Sequence, residues 1–157
     1  MIELLINRKN LNKFLNDIRK SDRDELFYHF RKKLRKKFIQ TVKNAKNTYF
    51  IGSDNSKPIA LGGFHKYDDG GIFLVWLLCT NEAKNNKYEL YKYIKTKVDK
   101  YKEKCSFMFN YIYKSNYDSL KMLSALGFRI VDLTCEDFKL FYYTKGNSFD
   151  TRYITRK

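Results

Sequence analysis

Apolar residues change their spacing several times along the chain, and each spacing predicts one kind of element. The first apolar run, IELLI at 2–6, has the length of a strand. The segment 10–45 then carries apolar residues at helical spacing, which predicts two helices. Ser21 is the expected cap between them, because Asp24 and Glu25 suit the first turn of a helix. The chain should therefore open with one strand and two helices.

Three β-rich segments follow, separated by residues that form turns. They are TYFIGS at 48–53, KPIALGGFHKY at 57–67 and GIFLVWLLCT at 71–80. This arrangement predicts an antiparallel meander. The third segment shows no alternation of apolar and polar residues, which is typical of a strand buried on both faces. Trp76 is therefore expected to be a core aromatic residue without a ligand role.

A parallel crossover is predicted in the next part of the chain. Segment 87–104 has helical spacing, with Leu90, Ile94 and Val98 forming an apolar stripe. The strand SFMFNYIY at 106–113 follows it. Because this helix connects two strands, the two strands are expected to lie parallel to each other.

The C-terminal part predicts a short helix and a closing hairpin. DSLKMLSALGF reads as a helix that Gly127 ends, and Phe128 reads as a core residue after it. FRIVDLT at 128–134 and FKLFYYT at 138–144 then read as two strands around CEDF. No linker or repeat divides the chain. The order β-αα-βββ-α-β-α-ββ thus predicts a single α/β domain over residues 1–157, with a mixed, mostly antiparallel sheet and a central parallel crossover.

The composition fits one soluble domain. A chain of 157 residues, 43% of them hydrophobic and 17% aromatic, is long enough for one ordinary core. No apolar run reaches the roughly 18 residues that a membrane-spanning helix needs, and the N-terminus lacks the charge order of a signal peptide. We therefore expect no membrane insertion and synthesis in the cytoplasm.

The cysteines predict no cross-links. Cys79, Cys105 and Cys135 are odd in number, lie far apart and form no CxxC pair. Neither a disulfide framework nor a zinc site is encoded by such spacing. We expect three buried thiols and no metal site.

Positive charge is the strongest compositional feature. The chain has 32 Lys and Arg against 17 Asp and Glu, a net charge of +15, which favours acidic protein surfaces or nucleic acids as partners. The densest cluster, FRKKLRKKF at 30–38, has apolar residues at helical spacing and basic residues between them. Its basic residues are Arg31, Lys32, Lys33, Arg35, Lys36 and Lys37. This cluster fits a solvated helix face, and it also leaves open a contact with DNA.

Four segments in this order resemble the GNAT (N-acetyltransferase) superfamily. They are DIRKSDRDEL, IALGGF, VWLLCT and FNYIYKSNYDSLKMLSALGF, which together span most of the chain. Within the superfamily these segments resemble the GNAT-like virion or internal proteins of podovirus-type phages more closely. The resemblance implies that a strand, a crossover helix and a splayed parallel strand surround acetyl-CoA. It also identifies the step from Asn116 to Gly127 and Phe128 as the superfamily's closing segment.

The resemblance places the diphosphate of acetyl-CoA in a glycine-rich turn before the crossover helix. The matching turn here, TNEAKNNKYE at 80–89, contains no glycine, and Glu82 adds a negative charge. Its asparagines tolerate left-handed backbone and its lysines supply positive charge, so an anion is not excluded. The cofactor residues implied by the resemblance are Thr80, Lys84, Asn85, Asn86, Lys87 and Asn116. The same turn also fits a plain surface connection.

The catalytic groups that the resemblance implies are missing from their usual places. A general base is expected on the central strand, but GIFLVWLLC carries no carboxylate. A tyrosine acid is expected on the later helix, where this chain has Leu123. His65, Glu82, Tyr113 and Tyr117 are the remaining candidates.

Three functions are compatible with these residues. The first is a phage virion component, such as a portal, tail, ring or internal protein, that works in an oligomeric assembly without a cofactor and moves from host cytoplasm to virion. The second is an active acetyl-CoA-dependent N-acetyltransferase. The third is a basic nucleic-acid-binding module. The splayed strands are expected at 77–81 and 106–110. An open cleft between them, unfilled by Phe107, Phe109 or Tyr111, would separate the second function from the first.

Overall fold

A mixed β-sheet runs through the centre of the protein and separates two groups of helices. The structure is a computed structural model that describes residues 1–30, 33–134 and 137–146, without the side chain of His29. Within these residues the strands are β1 (Ile2–Glu3), β2 (Thr48–Gly52), β3 (Pro58–Lys66), β4 (Ile72–Cys79), β5 (Phe107–Tyr113), β6 (Arg129–Asp132) and β7 (Phe138–Thr144). They form one sheet in the order β1-β2-β3-β4-β5-β7-β6.

The helices divide between the two faces of the sheet. They are α1 (Arg8–Asp17), α2 (Lys20–Phe30), α3 (Leu34–Asn44), α4 (Lys87–Lys104) and α5 (Tyr117–Ala125). A 3-10 turn, Asn81–Asn86, leads into α4. Helices α1 to α3 pack on one face, called the front face here, and α4 and α5 pack on the back face.

The predicted fold class is confirmed. Strands β2, β3 and β4 form the antiparallel meander, and β4 and β5 pair in parallel through the crossover helix α4. Strand β7 lies between β5 and β6 and is antiparallel to both. Helix α4 has the predicted bounds, 87–104, and its residues Leu90, Val98 and Tyr101 are buried.

The prediction of two N-terminal helices is wrong, because the structure has three. Lys33 adopts a left-handed backbone with φ of 62° and separates α2 from α3. The cluster 30–38 is therefore not one helix. Its helical spacing continues across the break because Phe30 and Leu34 pack against the same front core that buries Phe38. Apolar spacing alone carries no sign of this break.

The predicted cap at Ser21 is also wrong. Helix α2 already begins at Lys20, so Ser21 lies inside its first turn. Helix α1 ends at Asp17, and its C-cap residue Ile18 leads into Arg19. The Arg19 backbone N–H donates to the Cys79 carbonyl at 2.9 Å. The start of α2 is thus set by a contact with β4 rather than by a local side-chain cap.

Aromatic residues fill the front core. Phe14 and Phe50 meet edge to face at 5.8 Å, and Phe14 stacks with Phe38 at 6.5 Å. Leu11 and Leu61 are fully buried beside them. Burial of each such side chain contributes roughly 1.5–3 kcal/mol, so this cluster anchors α1 and α3 to the sheet.

The back core joins α4 and α5 to β3, β5 and β7. Phe64 stacks on Tyr101 at 3.9 Å. Gly127, with φ of 87°, ends α5 as predicted, and the following N–H of Phe128 donates to the Leu123 carbonyl. Phe128 is 5% exposed and meets Phe141 edge to face at 5.4 Å. Its predicted core position is confirmed.

Cys79 and Cys105 are buried free thiols, as predicted, whereas Cys135 lies outside the described residues. Burial raises the pKa of the Cys79 thiol to about 12 and also raises that of Cys105. Both groups are therefore protonated at neutral pH and are not nucleophiles. In the part of the chain that the structure describes, no helix has the length and apolar character to cross a membrane.

Phe128→Ala should destabilise the protein by about 3–5 kcal/mol, because it removes a buried ring and leaves a void beside Phe141. Urea unfolding of both proteins measures this difference. Phe27→Ala is the matched control, since Phe27 is 62% exposed. A loss below about 1 kcal/mol for Phe128→Ala would contradict its role in the core.

Candidate functional site

Strands β4 and β5 separate after a short paired stretch. They pair at Ile72 with Phe107, at Phe73 with Met108 and at Leu74 with Phe109. Beyond this stretch β4 continues to Cys79 and β5 continues to Tyr113, but the two strands no longer pair with each other. We call the space between residues 75–79 and 110–113 the strand gap.

The β4 edge of the strand gap offers backbone hydrogen-bonding groups. The Val75 carbonyl accepts from Asn110 Nδ2 at 3.0 Å at the narrow end of the gap. The Cys79 N–H donates to the Asp22 carboxylate at the wide end. Backbone groups of residues two apart in a strand point the same way, so the N–H and C=O of Leu77 also face the gap. Strand β5 offers Leu77 no partner, because pairing has ended at Leu74.

A cavity of about 590 Å³ passes through the sheet at the strand gap. Its front walls include Phe30, His65 and Trp76, and its back walls include Leu77 and Leu123. Because residues of both faces line one cavity, the sheet is open where β4 and β5 diverge. Strand β4 was expected to be buried on both faces, but several of its residues are only partly buried. The opening beside the strand explains this difference.

The strand gap is not plugged by the aromatic residues of β5. Phe107 and Phe109 do not line the cavity and instead pack with Leu140 and Tyr142. Tyr111 lines the cavity without filling it. The splay begins after Leu74 and Phe109, so the open part of β5 is 110–113 rather than the expected 106–110.

A buried carboxylate closes the wide end of the strand gap. Asp22 is 0% exposed, and its Oδ2 accepts from the Cys79 N–H at 2.7 Å. Its Oδ1 accepts from Asn116 Nδ2 at 2.9 Å, and the Arg19 guanidinium donates to Oδ2 at 2.8 and 3.0 Å. The carboxylate thus connects the end of β4 to the turn after β5. We call Asp22 with Arg19, Cys79 and Asn116 the Asp22 clasp.

Arg19 extends the Asp22 clasp to α5. Its Nη2 donates to Ser119 Oγ at 3.1 Å, in addition to the ion pair with Asp22. Burial raises the pKa of Asp22 above its ordinary value, while Arg19, the Cys79 N–H and the Asn116 amide act in the opposite direction. A buried charge with this many donors holds its neighbours in one arrangement.

Glu25 lies one helical turn after Asp22 and lines the cavity. Its Oε1 accepts from the Tyr113 N–H at 3.0 Å and from Asn116 Nδ2 at 3.1 Å. Among the described residues no hydrogen bond to Oε2 is found. That oxygen can therefore accept a hydrogen bond from a molecule in the cavity. Burial raises the pKa of Glu25 from its ordinary value to about 7. Both the acid and the carboxylate are therefore populated near neutral pH.

The predicted catalytic candidates are not brought together. His65 lines the cavity, and its Nε2 accepts from Trp76 Nε1 at 3.1 Å. Burial lowers the pKa of His65, so the ring is neutral at neutral pH. Glu82 lies outside the cavity and pairs with Lys57 at 3.8 Å. Tyr117 is 69% exposed and also lies outside it.

Of the cofactor residues implied by the resemblance, Asn116 lies at the cavity, and the others lie on the surface turn or beneath it. Thr80 is buried, and its hydroxyl donates to the Pro58 carbonyl at 2.8 Å. Asn86 Nδ2 donates to the Glu82 carbonyl inside the 3-10 turn. The side chains of Lys84, Asn85 and Lys87, which lie near Asn86 in the chain, are exposed.

Sequence reasoning missed Asp22 and Glu25 as site residues. It used Glu25 only as a favourable charge near a helix start. A signal was present, because Asp22 and Glu25 are three residues apart and share a helix face with Leu26, which is 6% exposed. Two carboxylates on the apolar side of a helix indicate a buried polar site.

The described part of the basic cluster lies on the outer side of α3. Lys33, Lys36 and Lys37 are exposed. Arg35 is held by α1, where it donates to Asn12 Oδ1 at 2.8 Å and to Asn16 Oδ1 at 3.0 Å. Arg31 and Lys32 lie outside the described residues. A contact between this cluster and DNA stays a prediction.

The fold is that of GNAT acetyltransferases. It matches a GNAT acetyltransferase from Bacillus anthracis with a TM-score of 0.58 and 15% identity, covering 87% of this chain and 89% of that one. It matches a spermidine N-acetyltransferase SpeG chimera from Vibrio cholerae and hSSAT with a TM-score of 0.55 and 12% identity, covering 78% and 79%. It also matches Campylobacter jejuni N-acetyltransferase PseH in complex with acetyl coenzyme A, with a TM-score of 0.50 and 19% identity, covering 82% and 94%.

Sequence comparison adds nothing to this structural likeness. No known family profile matches the chain, and no curated protein sequence matches it. The expected likeness to phage proteins in particular finds no support in these comparisons. At such low identity the structural matches establish the fold, and the function has to be inferred from the site.

Glu25→Gln should change how stability depends on pH. The folded-state pKa of Glu25, about 7, lies above the ordinary value of 4.5, so the folded protein binds this proton more tightly than the unfolded chain does. The stability that this proton contributes is fully present below the pKa that Glu25 has in the unfolded chain. It is lost as the pH rises through about 7. Between about pH 5 and pH 8, the melting temperature of the wild type should therefore fall relative to that of the variant.

Asp24→Asn is the control on the same helix, because Asp24 is exposed and pairs with Lys20 at the surface. Its melting temperature should follow the wild-type curve through this pH range. Parallel curves for the wild type and Glu25→Gln would show that the Glu25 proton is not bound more tightly in the folded state.

Proposed function

We propose that the protein is an acetyl-CoA-dependent N-acyltransferase. The observation that carries this proposal is the cavity that crosses the sheet where β4 and β5 diverge. A purely structural protein would gain stability by filling such a gap with side chains. The virion role expected from the sequence has no support from the structural relatives, and the enzyme alternative is at least as well supported.

The residues present fit the pantetheine arm of acetyl-CoA. The arm is a narrow chain with two amides, and the N–H and C=O of Leu77 face the strand gap without a partner on β5. Apolar side chains such as those of Ile94, Met122 and Leu123 line the back wall of the cavity. The arm would therefore lie along β4 on the side of α4 and α5.

The diphosphate would lie at the start of α4. An 18-residue helix has a positive N-terminal end, and exposed Lys84 and Lys87 add charge beside it. Without glycine the turn cannot bring successive N–H groups against the phosphates, so side chains and the helix end would have to hold them. We expect this part of the cofactor to be bound loosely.

When bound, acetyl-CoA supplies an acyl group activated as a thioester. The chain would hold the arm through the β4 backbone and keep bulk water away with the apolar walls of the cavity. These walls would protect the thioester from hydrolysis while an amine approaches from the front face.

Acetyl-CoA should bind and stabilise the protein. At about 100 times its dissociation constant it should add roughly 2.7 kcal/mol, which is measured as a rise in melting temperature. Incubation with amines should release the CoA thiol, followed with a thiol reagent. A protein that shows neither effect and is recovered from purified phage particles at a fixed copy number would instead have the virion role.

Leu123→Trp should abolish the thermal shift, because Leu123 lines the cavity and a larger ring would occupy the space of the arm. Ser124→Trp is the matched control, since the neighbouring Ser124 is exposed on the same helix. An equal shift in both variants would place acetyl-CoA elsewhere on the surface.

A further inference from the structure

The front part of the cavity lies between α2, α3 and β4. Its apolar walls are Leu26, Phe30, Phe38, Val42 and Trp76. Leu26, Phe38 and Val42 belong to the buried front core, which makes these walls rigid. We call this space the acceptor chamber. It meets the strand gap at Glu25, which lines the same cavity.

We propose that the acceptor chamber binds a primary amine carrying one positive charge on an apolar or aromatic body, and that Glu25 accepts the proton of that amine. The inference rests on the proposed function, because it concerns the acceptor of the same transfer reaction. It specifies the class of substrate and the catalytic residue, which the fold alone does not provide.

Charge in the cavity limits the acceptor to one ammonium group. Glu25 is the sole carboxylate among the described residues that line it. The sole Lys or Arg of that lining is Lys97 on the back face, which pairs with Glu3 at 3.0 Å and lies over the Tyr49 ring. A second positive charge in the acceptor chamber would therefore be buried without a counter-ion, which is unfavourable. A polyamine is a poor fit for this reason.

The walls favour an apolar or aromatic body for the same amine. Phe30, Phe38 and Trp76 present ring surface, and aromatic substrates gain from packing against such rings. Of the polar groups in this part of the lining, the His65 and Trp76 rings already share a hydrogen bond, and the Thr41 hydroxyl donates to the Lys37 carbonyl. A hydrophilic amine would lose its hydrogen bonds to water on entering the acceptor chamber, and the walls would replace few of them.

Glu25 is fixed in place by residues on the other side of the strand gap. The Tyr113 N–H and Asn116 Nδ2 both donate to its Oε1, so the orientation of the carboxylate is set by β5 and the following turn. The same Asn116 amide donates to Asp22, which links Glu25 to the Asp22 clasp. Its Oε2, to which none of the described residues donates, is then available to the ammonium group of an acceptor.

With Glu25 as the base, both protons that the ammonium group loses have an acceptor. The Glu25 carboxylate takes one proton from R–NH₃⁺ and leaves the nitrogen lone pair free. That nitrogen forms a C–N bond with the thioester carbonyl carbon, and the C–S bond breaks. The CoA thiolate leaves and takes the second proton lost by the nitrogen. Glu25 then returns its proton to solvent, which completes a general-base cycle.

The groups around Glu25 allow it to act near neutral pH. Among the described residues, the charged neighbours are Asp22 on the same helix and Arg19 before that helix, while β5 and the turn after it present neutral donors. His65 on β3 is neutral, and Lys97 lies on the back face. With its pKa raised to about 7 by burial, Glu25 is a base of suitable strength for such transfers.

Steady-state kinetics of the full chain with acetyl-CoA test the acceptor class. Phenethylamine represents a singly charged aromatic amine, spermidine a polyamine and ethanolamine a hydrophilic monoamine. We expect kcat/KM for phenethylamine to exceed the other two by about tenfold or more, as one apolar pocket can discriminate. Equal values, or a preference for spermidine or ethanolamine, would overturn the proposed acceptor class.

Glu25→Gln tests the base in the same assay. It should lower kcat for phenethylamine by about 10²- to 10⁴-fold and remove the rise of activity with pH near 7, while acetyl-CoA still produces its thermal shift. Glu25→Asp, which keeps a carboxylate, should retain more activity than Glu25→Gln. Asp24→Asn on the exposed side of α2 should leave the kinetics unchanged.

The outcomes separate this inference from the proposed function. If acetyl-CoA binds but Glu25→Gln keeps wild-type kcat and its pH profile, Glu25 is not the base and only this inference fails. If acetyl-CoA binds and no amine in the panel is acetylated, the proposed acceptor is wrong. If acetyl-CoA does not bind to the wild type, both proposals fail together.

Discussion

The buried carboxylate of Asp22 holds together two strands that the sheet itself leaves apart. It accepts hydrogen bonds from the end of β4 and from the turn after β5, and Arg19 balances its charge. Without a partner, the Cys79 N–H would remain unsatisfied in a buried position, which proteins rarely tolerate. The strand gap can therefore stay open in its middle because its wide end is closed by a fully bonded charge.

The candidate site follows from this constraint. Because the Asp22 clasp fixes the first turn of α2 against β4, the next turn brings Glu25 to the edge of the cavity. Asn116 donates to both carboxylates and so couples closure of the gap to the orientation of Glu25. One helix thus supplies a structural carboxylate and a chemically available one, and the difference lies in the number of donors around each.

The likeness to GNAT acetyltransferases establishes an architecture, and the site carries the functional reasoning. The surface turn before α4 lacks the glycines that the resemblance led us to expect, and β4 carries no carboxylate. Read along the chain, these two absences suggested a scaffold that had lost its chemistry. In the structure, an open cavity and a carboxylate from α2 lie at the same place, and the proposed function rests on this arrangement.

Elements whose pattern is local could be predicted from the amino-acid sequence alone. Helix α4, the antiparallel meander and the end of α5 at Gly127 were predicted because apolar spacing and backbone preference act over a few residues. The break at Lys33, the start of α2 before Ser21, the open strand gap and the position of Glu25 at the cavity appear only in the tertiary structure. Each of these depends on contacts between residues far apart in the chain, such as Asp22 with Cys79, and such contacts leave no mark on local periodicity.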